Sequence, residues 1–298
     1  MAECSSPPPS PQAPDCLPCA RRNAPEHRPQ RRAWPWRLWL PLGGLALLAL
    51  AFAAVWLFSP YDPNQIALQQ RLLPASLAHP LGTDQFGRDV LTRLAHGAVL
   101  SVGVAALSPA VSFILGTAIG IAAAWRGGLL ATVALTLNDT LVIIPMILVM
   151  LGFVAAFGTG TLTLAVGMTA LGWVVFARLA YQLTTRTLSA CYVEAAISLG
   201  ADSRRVLLRH VWPNIARPLL TYMALRLPSK LLAFSGLSFL GLGPRPPQAE
   251  WGAMLAEARG FSERAPLLLI APAATIVLIS ILFAALGSNA SEIEIPSK

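Results

Sequence analysis

Long apolar runs alternate along the chain with short polar stretches, and the pattern predicts six membrane-spanning helices. A helix rises about 1.5 Å per residue, so about 18 or more apolar residues suffice to cross a bilayer. Residues 38–58 are uncharged and long enough to be the first span. From 59 to 93 the chain turns polar, with prolines at 60, 63, 74 and 80. Residues 98–124 form a second span, rich in glycine, alanine and serine, as suits a helix packed closely on its neighbours. Trp125-Arg126-Gly127-Gly128 ends it. Residues 140–177 carry no charge and are too long for one crossing, and Phe157-Gly158-Thr159-Gly160 is the natural break. Spans of 132–156 and 161–182 follow, then a polar segment, a fifth span at 215–236 and a sixth at 267–287. The fold class expected is an all-α membrane protein.

The arginines orient this set. Arg21, Arg22, Arg28, Arg31, Arg32 and Arg37 precede the first span, Arg126 follows the second, and Arg186, Arg204, Arg205 and Arg209 lie between the fourth and fifth. Placing them in the cytoplasm satisfies the positive-inside tendency and puts both termini inside. The opposite face then receives the loops 60–95 and 240–264, where Arg71, Arg88, Arg93, Arg245, Arg259 and Arg264 are offset by Asp62, Asp84, Asp89, Glu250 and Glu257.

Composition agrees with a membrane protein: of 298 residues 55% are hydrophobic and 12% charged, with mean hydropathy +0.60. The charged share of soluble proteins is about 25%. The net charge of +8 lies largely beside the spans, so it sets topology and does not mark a nucleic-acid partner. Residues 1–35, rich in proline and arginine without apolar period, read as a disordered cytoplasmic tail, and residues 291–298 as a second short one. Cys16-Leu17-Pro18-Cys19 lacks the second ligand pair a zinc or redox site would need.

Candidate chemistry falls in three places. Gly82, Thr83, Asp84, Gly87, Arg88 and Asp89 lie in a turn-rich stretch leading into a charged helix start, where Thr83 and Asp84 can cap backbone N–H groups and Asp89 can pair with Arg93 four residues on. An ordered outer loop and a carboxylate site are both open readings. In the polar segment 190–214, Glu194, Ala195 and Ala196 open a short helix, Gly200 ends or bends it, and Arg204 and Arg205 start a basic helix running to Pro213 at the turn into the fifth span. That segment is either a rigid unit gripped by another protein or an amphipathic surface helix. Within the spans, Asp139, Arg226 and Lys230 are ionisable groups in a costly place. Arg226 and Lys230 share one helix face; a polar translocation path, snorkelling to the interface and a buried ion pair, with Asp139 as one candidate partner, are the open readings. No nucleophile–base pair or metal-ligand set accompanies any of these, so a membrane enzyme is disfavoured.

Three blocks resemble the C-type inner-membrane permease of the dipeptide, oligopeptide and nickel ATP-binding-cassette importers. LGTDQFGRDVLTR at 81–93 is similar to the family's signature loop, and EAAISLG at 194–200 with RHVWPN at 209–214 resembles the cytoplasmic loop that docks on the ATPase. LSFLGLGPRPPQAEWGAML at 237–255 resembles the stretch between the last two spans. WRGG at 125–128, Asp139 and Pro145 fall at matching positions, and the likeness covers residues 38–290. It implies a type I importer permease fold in a bacterial inner membrane, with 36–290 as the permease domain and peptide as cargo. Nickel, a metallophore or a peptide-like compound is the alternative, and a non-transporting receptor or scaffold a more remote one. The implied partners are a homologous B-type permease, two ATPases and a periplasmic or lipid-anchored solute-binding protein, within membrane lipid. No cofactor is expected in this chain, ATP and Mg2+ belonging to the ATPases. Glu194, Ala195, Ala196, Gly200, Arg204, Arg205 and Pro213 would carry ATPase coupling, and the residues around Asp84, Arg88 and Trp251 would shape the outer face. The chain departs from the pattern at Phe234, where relatives carry an acidic residue, and at Lys230, an added cation. Asp139, Arg226, Lys230 and Phe234 are thus candidates to line the path. Their charge suits anionic or zwitterionic cargo unless the partner permease neutralises it. The tail from Gly287 to Glu292 lacks the family's arginine.

Overall fold

The chain is described by a computed structural model covering residues 36–292; the tail 1–35 with Cys16 and Cys19, and residues 293–298, lie outside it. Every regular element is helical. Helix α1 (Trp36–Phe58) leads into a loop with one 3-10 turn (Leu68–Gln70), followed by the long α2 (Val90–Arg126). Then come α3 (Gly128–Ile143), α4 (Met146–Phe157) and α5 (Thr161–Leu188). The polar segment holds α6 (Cys191–Ser198) and α7 (Ser203–Val206), a π-turn (Leu207–Val211) and the start of α8 (Trp212–Phe239). A loop with α9 (Trp251–Ala258) and a 3-10 turn (Arg259–Phe261) precedes α10 (Leu267–Glu292).

Among the described residues, four helices are long and apolar enough to cross a membrane: α1, α2, α5 and α10. The pair α3–α4 makes a fifth if taken as one broken span. The sequence predicts one span at 132–156; the structure has two helices there that meet at 92°. Pro145 is the reason. It disfavours helical geometry in the residue before it, and Ile144 is extended (φ −75°, ψ 122°). Helix α8, the expected fifth span, is 28 residues long. It is not among those four, and Arg226 and Lys230 lie in the middle of it. Pro213 does not mark a turn as expected. It sits in a helix continuous from Ser203, where the π-turn just before it absorbs the missing N–H and the ring's clash with the preceding turn.

The most extensive packing joins α2 to α5, and the small residues of α2 permit it. A Cβ added at Gly116 would lie 2.3 Å from the Trp173 carbonyl oxygen, and one at Gly120 2.3 Å from that of Ala177. Side-chain bulk at either position would force the backbones apart, the close approach that small-xxx-small spacing allows. At one end of the bundle Trp251, fully buried, packs with Val90, Leu94, Leu231, Met254 and Leu268. At the other end Val193, Val206, Val211, Ile215 and Leu219 form a cluster that seats the polar segment on α5 and α8.

Candidate functional site

The loop before α2 is built around buried charge. Asp84 Oδ1 accepts from the backbone N–H groups of Phe86 (2.8 Å) and Arg88 (2.9 Å), and Oδ2 accepts from Arg88 Nε (2.6 Å). This closes a tight turn in which Gly87 has φ +76°. A Cβ at Gly87 would stand 1.9 Å from the Ala67 carbonyl oxygen, so only glycine fits. Gly82 is held similarly against the Leu73 carbonyl. Thr83 Oγ1 donates to the Gln70 carbonyl and accepts from the Leu73 N–H at 2.9 Å. The stretch thus folds as an ordered loop, with its polar groups spent on one another.

From that loop the charges reach α9. Arg88 Nη2 lies 2.7 Å from Glu257 Oε2, and Arg93 Nη2 3.4 Å from the same oxygen. Arg93 Nη1 also donates to the carbonyls of Pro63 and Pro247, both at 3.2 Å. The expected Asp89–Arg93 pair does not form. Asp89 is the N-cap of α2, where Oδ2 accepts from the Thr92 N–H (2.8 Å) and hydroxyl (2.7 Å) while Oδ1 faces His79 Nδ1 at 2.9 Å. Capping turns its carboxylate back toward the loop, leaving Arg93 to Asp84 and Glu257. Asp84, Arg88 and Trp251 are all buried, so they brace the loops on either side from inside and their own side chains form little of the surface.

Glu250 is fully buried and caps α9, accepting from the Ala253 N–H (2.8 Å) and from Ser101 Oγ of α2 (3.0 Å). Burial pushes its carboxyl above the usual range, against the lowering effect of those hydrogen bonds. The indole of Trp251 donates to the Leu94 carbonyl at 2.9 Å. The sequence marks Glu250 and Glu257 only as loop charges and does not single out His79. An acidic residue directly before an apolar Trp-Gly-Ala-Met run is the N-cap signal that could have found Glu250.

The polar segment has two unlike sides. Val193 is fully buried, while Glu194, Ala195, Ile197 and Leu199 are exposed and Ala196 partly so. Gly200 ends α6 in a Schellman motif: its φ is +84°, its N–H donates to the Ile197 carbonyl (2.9 Å), and the Ala201 N–H donates to Ala196 (3.0 Å). Among the described residues nothing lies within 4 Å of a Cβ placed there, so conformation requires the glycine. Arg204, Arg205 and Pro213 are exposed beyond it. Leu199, 89% exposed, stands beside Ile197 as apolar surface next to the carboxylate of Glu194.

Inside the bundle, Asp139 does not meet Arg226 or Lys230. It pairs with Arg178 of α5 at 2.6 Å, both side chains more than half exposed, an arginine that the span reading had passed over. Arg226 Nε donates to the Tyr222 hydroxyl at 2.9 Å, and Lys230 Nζ reaches the Met168 carbonyl at 3.4 Å. Phe234 is fully buried among Val104, Met150, Leu164, Met168 and Leu237, in the core of this chain. Among the described residues no group of three or more His, Cys, Asp or Glu is placed to hold a metal ion.

Residues 116–290 match the family described as binding-protein-dependent transport system inner membrane component. A glutathione transport system permease protein of Pectobacterium atrosepticum is 34% identical over 82% of this chain and 81% of its own length. A putative peptide transport system permease protein of Brucella suis is 33% identical over 85% of this chain and 86% of its own, and a counterpart in Brucella abortus matches equally. A chain of the MetNI methionine ABC transporter, solved in inward-facing conformations, superposes with TM-score 0.52 at 12% identity, over 68% of this chain and 97% of that one; it shares the fold. The chain therefore belongs to the binding-protein-dependent inner-membrane transport components, as a C-type permease subunit of the peptide and nickel class of ABC importers. It is a non-catalytic, multi-pass protein of the bacterial inner membrane.

Proposed function

We propose that this permease forms half of the pathway for ATP-driven import of dipeptides or oligopeptides, paired with a homologous B-type permease. Two ATPases, with their ATP and Mg2+, work from the cytoplasm, and a periplasmic or lipid-anchored solute-binding protein delivers cargo from outside. The observation that carries this reading is the two-sided polar segment: Val193, Val206 and Val211 seat it rigidly, while Glu194, Ala195, Ile197 and Leu199 face away from the chain. A short helix seated this way transmits a push to both α5 and α8, since its buried side touches both. In this reading Glu194, Ala195, Ala196, Gly200, Arg204, Arg205 and Pro213 serve ATPase coupling.

We place six spans across the membrane, counting α3–α4 as one and α8 as another, with both termini cytoplasmic. The loop 60–95 and the stretch 240–264 then face outward, and the brace of Asp84, Arg88, Arg93 and Glu257 stiffens the platform on which the binding protein sits. Asp139, Arg226 and Lys230 are proposed to line the path, with Phe234 behind them. Peptide cargo is supported by relatives whose names specify glutathione and peptide transport. The same architecture carrying nickel, a metallophore or another peptide-like compound is the second reading.

The test is uptake by the complete importer in proteoliposomes, with labelled dipeptides, tripeptides, glutathione and nickel as separate cargoes. ATP-dependent accumulation of a peptide is the expected result. Accumulation of nickel alone would replace the cargo, and none with any cargo would leave a non-transporting receptor.

A further inference from the structure

Among the described residues, two cations of α8 stand without a carboxylate partner. Helices α1 to α5, α8 and α10 contain two acidic residues, Asp139 and the terminal Glu292. Asp139 is already held by Arg178. Arg226 offers five N–H donors and meets, among the described residues, the hydroxyl and ring of Tyr222 (guanidinium carbon 4.9 Å from the ring centroid). Lys230 offers three and meets the Met168 carbonyl at 3.4 Å. Ionisable groups within spans face a bundle interior or a watery cavity and find a partner there.

The surroundings say which side these cations serve. Both are half-buried, and next to them runs the open stripe of α8: Leu225, Ser229, Leu232 and Gly236. Behind Lys230 lies a polar seam. Ser112 Oγ donates to the Thr169 carbonyl at 3.3 Å, and Thr169 Oγ1 lies 3.3 Å from Ser108 Oγ. A Cβ at Gly172 would stand 2.3 Å from Ser112 Oγ and 3.5 Å from Lys230 Nζ, which places the ammonium against this hydroxyl-lined seam. One helical turn separates the two cations, about 5–6 Å between Cβ atoms, a span both oxygens of one carboxylate can bridge.

We infer that Arg226 and Lys230 form an anion-receiving site that takes the carboxylate of the cargo as it passes along α8. This deepens the peptide-import reading and rests on it. A peptide acid entering the span loses water around its carboxylate, and two uncommitted cations compensate that loss. A carboxylate from the sister permease has the same chemistry, and the test separates the two sources.

The experiment uses the complete importer with the native cysteines at 4, 16, 19 and 191 replaced by serine and one cysteine introduced by Ser229→Cys on the open stripe. Two water-soluble thiol reagents, one anionic and one cationic, are timed against it. The anionic reagent should react about tenfold faster relative to its rate with a free thiol, as local enrichment of counter-ions predicts. The preference should vanish with Arg226→Gln plus Lys230→Gln and survive with Lys230→Arg; if the double variant does not assemble, each single neutral variant should halve its logarithm. A transported dipeptide should slow the anionic reagent, and its C-terminal amide should not. Equal relative rates with both cations present, pointing to neutralisation by the sister permease, would overturn the inference, as would silence of both reagents or equal protection by acid and amide. If the importer accumulates no peptide while the anionic preference holds, the peptide reading fails and the anion site stands.

Discussion

Arg88 Nη2 in the loop before α2 and Glu257 Oε2 in α9 stand 2.7 Å apart across 169 residues of chain. With Asp84 and Arg93 they form a group of two acids and two bases, three of them buried and Glu257 half-buried, that ties the loop before α2 to α9. Burial makes such a group brittle: each charge is tolerable only while its partners remain.

Removing one partner should therefore cost far more than the pair is worth. Glu257→Ala leaves two buried guanidiniums short of a counter-charge, and about 3 kcal/mol of stability should be lost, the low end for a broken buried pair. Thermal unfolding of the purified importer in detergent, followed through this subunit, checks it. Arg88→Met in the Glu257→Met background should cost further, because Asp84 Oδ2 then loses its 2.6 Å partner and keeps only Arg93 Nε at 3.6 Å.

Glu250 gives the end of the bundle around Trp251 a pH dependence of definite sign. Its carboxyl is raised by burial, so the native state holds its proton more tightly than the unfolded chain does. The stabilisation from this group is present in acid and is lost as pH rises above the ordinary value of 4.5 toward the folded one. The melting temperature of the wild type should thus fall relative to Glu250→Gln as pH climbs through that window. A difference that stays flat with pH would show that the carboxyl titrates normally.

Gly200 should matter through its backbone. At φ +84° a residue with a Cβ is strained by about 1–2 kcal/mol, and the Schellman bonds that close α6 weaken with it. Gly200→Val should leave insertion and assembly intact but lower substrate-stimulated ATP hydrolysis several-fold. Gly200→Asn should retain more, since asparagine tolerates the left-handed region. Equal loss in both would point to crowding by the ATPase.

Glu194→Lys tests the exposed side of α6 without touching its buried anchor. Permease yield should be unchanged and coupling of hydrolysis to uptake reduced. Undiminished coupling would remove Glu194 from the docking surface.

Membrane orientation is checked in intact cells. A cysteine introduced by Ser203→Cys, at the start of α7, should be closed to an impermeant thiol reagent and open to a permeant one. Labelling from outside would invert the arrangement of termini and loops.

The apolar runs by themselves determined that this is an all-α protein of several spans, because a helix long enough to cross a bilayer must be written as an unbroken apolar stretch. The turn at Gly200 and the cap at Asp89 were within reach of the sequence for a similar reason: both are local, satisfied by backbone groups a few residues away. The partners of Arg88 and Arg93 were not. Glu257 lies 169 and 164 residues beyond them, and which acid meets which base depends on how α9 is laid against α2. Asp139 was legible as a costly charge, yet its choice of Arg178 over Arg226 and Lys230 was made by the helix packing. The 92° break at Pro145 is a mixed case. Proline biases Ile144 away from a regular helix, as the sequence alone can tell, while the direction in which α4 then leaves is set by the bed it finds against Leu164 and Met168 of α5.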